Sequence, residues 1–156
     1  MTQRAVKGLY DPSFDRDSCG FGLIANIDDQ SSHWVIQTAI DALTRLTHRG
    51  AVSADGKTGD GCGLLIKFPV EFLRAITVQA NIKLNDQFAA GTVFLNPNIK
   101  IAKKTKSIIE KALINEGMEV AGWREVPINS SVCGEMALNT MPNIEQIFVN
   151  CPQDMS

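Results

Sequence analysis

Cys19 is the residue in this chain best placed for chemistry, within the stretch Asp17–Ala25, D-S-C-G-F-G-L-I-A. Its thiol has two readings. Packed at the head of an apolar, glycine-containing run, it is a small buried hydrophobe, as free cysteine usually is. If the residues ahead of it are cut away, Cys19 becomes the first residue and its thiol sits beside its own α-amine. An α-amine has a reference pKa of about 8, so a useful fraction is unprotonated at neutral pH and accepts a proton. Nucleophile and base then belong to one residue, a relative of the pairing of threonine with a terminal amine in covalent catalysis.

The remaining cysteines, Cys62, Cys133 and Cys151, form no C-x-x-C pair, and neither histidine lies beside a cysteine at zinc-ligand spacing. Simple packing is the reading for all three, and no metal site is expected. The stretch Ser53–Gly63, S-A-D-G-K-T-G-D-G-C-G, holds four of the chain's 12 glycines and invites a phosphate-binding reading. A P-loop needs G-x-x-x-x-G-K-[ST] running into a helix. Here Gly50 and Gly56 enclose five residues, and Lys57-Thr58 runs toward a strand-like segment. Gly59, Gly61 and Gly63 are spaced G-x-G-x-G, not the G-x-G-x-x-G of a dinucleotide site. Both nucleotide readings fail, leaving a structural loop or one whose backbone approaches something bound.

The elements that must carry these residues fit one domain. The chain has 156 residues, 44% hydrophobic and 21% charged, with a net charge of −2. That is an ordinary globular composition with no electrostatic case for nucleic acid or an anionic membrane as partner. No apolar run approaches bilayer length. The first 18 residues lack a hydrophobic centre and carry Asp11, Asp15 and Asp17, so they are neither a secretory signal nor a transit peptide. They read as an exposed leader open to proteolysis, and the cytoplasm is the default location.

Cys19–Ile27 reads as a first strand closed by Asp28-Asp29. Ser31 or Ser32 caps a helix whose face carries Val35, Ile36, Ala39, Ile40, Leu43 and Leu46, with Gly50 of His48-Arg49-Gly50 as its stop. Cys62–Phe68 reads as a second strand, and Pro69 opens a helix with Phe72, Leu73 and Ile76. Phe88–Leu95 is a third strand, ended by Asn96-Pro97-Asn98. Ile101–Asn115 is an amphipathic helix with Gly117 as its stop. Strand readings follow at Met118–Val126, Val132–Leu138 and Ile144–Val149. A doubly wound sheet is compatible with the early alternation, but the crowding of strands after residue 118 favours antiparallel pairing. The abrupt end at Cys151–Ser156 reads as a truncation.

Three segments in this order, D-S-C-G-F-G-L-I-A, H-R-G-A at His48–Ala51, and D-G-K-T-G-D-G-C-G at Asp55–Gly63, resemble one family. V-A-G-W-R-E-V-P and I-E-Q-I-F-V-N continue the match over residues 9–152. The family is the amino-terminal glutaminase region of the glutamate synthase large subunit, a class II amidotransferase of the N-terminal-nucleophile type. The resemblance implies an α+β, four-layer αββα sandwich, incomplete in this chain. Residues 1–18 become a propeptide, and 19–156 the first part of the amidotransferase domain. It further implies that Cys19 attacks the side-chain amide of glutamine, releasing ammonia for amination of 2-oxoglutarate by a synthase domain of the same longer chain. FMN and an iron–sulfur cluster are implied for that longer enzyme, with none in this chain, together with a small subunit that oxidises NADPH.

Other positions carry over from the resemblance as alternatives. Arg49 orders the active-site loop and Gly50 permits its turn, or His48 and Arg49 are solvated residues at a helix end. Asp60 approaches the active site, or is an Asx-type turn residue. The family's Asn-Gly oxyanion pair has no counterpart here, since the sequence contains no Asn-Gly dipeptide, and the arginine that grips the substrate carboxylate falls beyond the matched region. A chain lacking one oxyanion donor loses about two to three powers of ten in rate. The competing expectation is therefore a truncated, non-catalytic remnant or interaction module. A cysteine-based metal or redox protein has no spacing to support it.

Overall fold

The computed structural model describes residues 20–46, 51–59 and 61–152. In chain order the helices and strands are α1 (His33–Arg45), α2 (Val70–Gln79), β1 (Phe88–Leu95), α3 (Ile99–Asn115), β2 (Glu119–Glu125), α4 (Glu135–Thr140) and β3 (Asn143–Asn150). They divide into two compact units. One holds α1, with the chain as far as Val52 and Gly59–Leu65; the other holds Ser53–Thr58 and everything from Ile66 onward.

The second unit is built on a three-stranded sheet in the order β1-β3-β2. Both pairings are antiparallel, running from Phe88↔Asn150 to Leu95↔Asn143 on one side and from Glu119↔Asn150 to Glu125↔Glu145 on the other. Antiparallel pairing is what the crowded late strands favoured, and it sets aside the doubly wound alternative for these strands. Successive side chains of a strand point to opposite faces. In β3, Phe148 on one face and Ile147 and Val149 on the other are all buried, so both faces are covered.

Phe148 is fully buried against Leu73 and Ile76 of α2 and against Ile82, with Phe88, Ala90 and Ala121 around them. On the opposite face α3 is tied to the sheet by polar contacts. Lys106 Nζ lies 2.6 Å from Glu145 Oε2 and 4.5 Å from the centre of the Trp123 ring. Trp123 Nε1 donates to Glu110 Oε1 at 2.7 Å. The unit is therefore helix, sheet, helix.

Local chemistry explains the helix ends. Asn98 Oδ1 caps α3 by accepting from the amides of Lys100 and Ile101, which starts the helix two residues before the expected Ile101. Gly117, at φ 76°, ends it as expected. Its amide bonds to Ile114 O and that of Met118 to Leu113 O, the paired closure of a Schellman stop. α2 ends the same way at Asn81 (φ 56°), with Ile82 N bonded to Thr77 O. That stop also turns Ile82 into the core.

Three strand expectations need correction. Residues 20–27 and 62–68 form no strand, because a strand needs a partner's backbone and none pairs with them among the described residues. Most of their large apolar side chains stay in solvent, Phe21 at 96% and Leu65 at 102% exposure. Val132–Leu138 is not a strand either. Asn129 caps a short 3₁₀ turn over Ser130–Val132, Gly134 interrupts, and α4 follows.

β2 carries a bulge: Val120 pairs with Val149 and Gly122 with Phe148, leaving Ala121 unpaired and turned into the core. A Cβ on Gly122 would lie 2.9 Å from Ile82 Cγ1, whereas one on Gly91 would meet Ile147 at an ordinary 3.6 Å. Gly122→Val should therefore cost about 1–3 kcal/mol through overpacking, and Gly91→Ala should stay within about 0.5 kcal/mol of the parent. Denaturant midpoints of the two variants would check this contrast. Asn150 supplies a second test. It is 3% exposed, accepts from Asn85 N at 2.9 Å and donates to Lys83 O and Glu119 Oε2 at 3.4 Å. Asn150→Ala strands those groups, with an expected loss of about 1–3 kcal/mol in the same measurement.

Candidate functional site

Cys19, Arg49, Gly50 and Asp60 lie outside the described residues, as does the leader 1–18. The chain around them is described. After Cys19 the backbone runs without regular structure to a turn at Asn26–Asp29. There Asn26 Oδ1 accepts from Asp28 N at 2.9 Å and Asp29 takes a φ of 49°. The turn expected at Asp28-Asp29 is thus present, and only the pairing of the run before it is not.

α1 begins after Ser32, whose side chain makes no capping bond. Val35, Ile36, Ala39, Leu43 and Leu46 are half-buried along one face, as their spacing predicts, whereas Ile40 is exposed. The helix stops at Arg45, with Leu46 N bonded to Leu43 O. The stop expected at Gly50 is outside the described residues.

The glycine-rich segment is a closed hairpin loop. Val52 and Gly59 form an isolated antiparallel bridge. Within the loop, Ser53 N donates to Thr58 O at 2.7 Å and Gly56 N to Ser53 O at 2.9 Å. Asp55 is its centre. One carboxylate oxygen, Oδ1, accepts from Lys57 N at 3.0 Å and Thr58 N at 2.8 Å. The other, Oδ2, accepts from Thr58 Oγ1 at 2.5 Å and, from 81 residues away, Met136 N at 3.3 Å.

Gly134 makes this approach possible. A Cβ there would fall on Asp55 Oδ2 and Thr58 Oγ1 and lie 2.8 Å from Thr58 N. The four donated bonds, led by the Thr58 hydroxyl, hold the Asp55 carboxyl well below the usual carboxylate range. A lowered folded-state pKa stabilises the fold at neutral pH. That contribution fades as pH falls below the unfolded carboxyl's value of about 4.

The same bonds test the phosphate-loop reading. Phosphate loops present free backbone amides to the anion, but the amides of Ser53, Gly56, Lys57 and Thr58 are all committed within the loop. The rejection made on spacing stands on geometry as well. Among the cysteines, Cys133 and Cys151 are half-buried, but Cys62 is exposed, so packing does not account for it. It opens the same apolar run that finds no strand partner. Among the described residues no group of three or more His, Cys, Asp or Glu side chains could hold a metal ion, and no helix is long and apolar enough to cross a membrane.

Asp55 and Gly134 are what the sequence reading missed. D-G-K-T is a signal for an Asx turn, with an aspartate accepting from the amide two residues on. That signal marks Asp55 directly. The contact with Met136 has no local trace.

The sequence profile of the class-II glutamine amidotransferases matches residues 19–156. Over 143 residues the chain is 41% identical to the glutamate synthase [NADPH] large chain of Azospirillum brasilense, covering 90% of this chain and 9% of that one. It is 37% identical over 153 residues to ferredoxin-dependent glutamate synthase 1 of Arabidopsis thaliana, covering 97% of this chain and 9% of the other. With the large chain of Bacillus subtilis the identity is 34% over 150 residues, covering 96% and 10%. The chain thus spans about a tenth of the length of the curated relatives it matches. With the profile aligned from Cys19 through the last residue, this chain belongs to the class-II glutamine amidotransferases.

Proposed function

We propose that this chain is the first part of the glutaminase domain of a glutamate synthase, with Cys19 as the nucleophile of the half-reaction that the longer chain carries out. The observation that carries the reading is where the family match begins: at residue 19, on the cysteine whose chemistry requires a free α-amine. Residues 1–18 are then a leader that is removed. The Cys19 thiolate attacks the side-chain carbonyl carbon of glutamine, with the α-amine taking the thiol proton. Collapse of the tetrahedral intermediate expels ammonia, which takes up a proton, and leaves a γ-glutamyl thioester. Water then attacks the thioester, giving glutamate and restoring the thiol.

On this reading Arg49, Gly50 and Asp60 support the site, and the complete domain is the four-layer αββα sandwich. The antiparallel pairing suits such an arrangement, whereas a sheet with helices on both faces differs from it, since each sheet of an αββα sandwich carries helices on one face only. Ammonia passes to a synthase domain of a longer chain, and a small subunit oxidising NADPH supplies electrons. FMN and an iron–sulfur cluster belong, on this reading, to the longer enzyme. The half-reaction uses neither group. A cytoplasmic location goes with the reading.

Two measurements test it in the full-length protein as its cells make it. N-terminal sequencing with an intact mass should find a chain beginning at Cys19; a chain that keeps Met1–Ser18 would leave the α-amine blocked and overturn the mechanism. Cys19→Ala should abolish glutamine-dependent glutamate synthesis and leave ammonia-dependent synthesis at the parent level. Glutamine-dependent synthesis surviving that substitution would remove Cys19 from the chemistry.

A further inference from the structure

We propose that α4 is a conditional helix: it forms while Asp55 caps it from the Ser53–Thr58 loop, and melts when that loop moves away. Loop and helix both belong to the second compact unit, and nothing here depends on Cys19.

The usual supports of a short helix are missing from α4. It is six residues long, and isolated helices shorter than about 12–15 residues are marginal in water. None of its residues is buried, so packing holds it weakly. Its N-cap, Gly134, has no side chain with which to accept from the first free amides. What it has is Asp55. Oδ2 of that carboxylate accepts from Met136 N, the second amide of the helix, at 3.3 Å. That is the bond an N-cap side chain makes, and a carboxylate suits the positive end of the helix dipole. Gly134 is itself buried, and a Cβ there would hold the loop off.

The dependence is unequal. Asp55 makes three of its four bonds within the loop, accepting from Lys57 N, Thr58 N and Thr58 Oγ1. Bonds from Ser53 N to Thr58 O and from Gly56 N to Ser53 O close the rest of it. The loop therefore keeps its form without α4, whereas α4 does not keep its form without the loop. The connection from β2 to β3 thus has a closed state, with α4 formed, and an open state without it.

Hydrogen exchange on the full-length protein, read in peptides covering the loop and α4, tests this. Asp55→Asn keeps an oxygen for Lys57 N and Thr58 N but turns a donor toward Met136 N. Exchange in α4 should rise by about three- to thirtyfold, the range of a lost N-cap, with the loop within about twofold of the parent. Adding Gly134→Ser to Asp55→Asn puts a capping oxygen on the helix itself, and should return α4 to within about twofold of the parent. Parent-level exchange in α4 of Asp55→Asn would overturn the proposal. So would an equal rise in both segments, which is what general loosening produces, or the absence of rescue by Gly134→Ser. If Asp55→Asn does not accumulate, Gly134→Ala decides, because its Cβ fills the seat of the loop. There too α4 should exchange faster while the loop does not, and parent-level exchange in α4 overturns the proposal.

Discussion

Every backbone ladder in the described sheet passes through β3. It is the last strand in sequence and the central one in space, paired with β1 on one side and β2 on the other. A central strand covered on both faces cannot alternate apolar and polar residues, and Ile147, Phe148, Val149 and Asn150 are buried in succession. The one polar member, Asn150, is tolerated because its side-chain amide is bonded on both ends. Remove β3 and, among the described residues, β1 and β2 lose the partner they share, while α2 loses Phe148, a core residue it packs on. The helices then have no surface to cover. Formation of this unit is therefore non-local, with β1 waiting on a strand more than fifty residues downstream.

The bulge in β2 follows from that same constraint. Both edge strands must follow the register of β3, and the sheet must also leave room for Ile82. Ala121 is turned into the core and Gly122 offers no side chain at the tightest point. Close approach at glycine recurs at Gly134, where it serves a carboxylate instead of a core side chain. One glycine admits apolar packing, and the other admits a charge to a helix start. In both places the absent Cβ is the structural element.

Legibility in the sequence tracked how local each cause was. β1 was readable to the residue because Asn96-Pro97-Asn98 ends it, and α3 to within two residues because its stripe and Gly117 are both within the helix or one turn of it. Asn81 was missed as a stop, since asparagine in the left-handed region is a weaker signal than glycine. α4 read as a strand because its capping oxygen comes from Asp55, 81 residues from the amide it accepts. At the candidate site, Cys19 was singled out from its context and the family pattern together, and it lies outside the described residues. Asp55 was hidden for the opposite reason to Cys19: its turn is written locally, but its partner is not.

The two apolar runs, 20–27 and 62–68, show the same principle at its limit. Both have strand-like composition, and both leave large side chains in water, Ile27 at 100% exposure among them. Burying one such side chain is worth about 1.5–3 kcal/mol, so leaving several exposed is costly. Propensity cannot recover that free energy, because a strand is defined by the backbone it pairs with and not by its own residues. The sheet around β3 is self-sufficient, holding its partners within residues 88–150. The run that follows Cys19 is not. In the proposed four-layer fold those runs belong to paired strands, so the described residues that follow the proposed nucleophile in sequence are the ones most dependent on a partner for their burial.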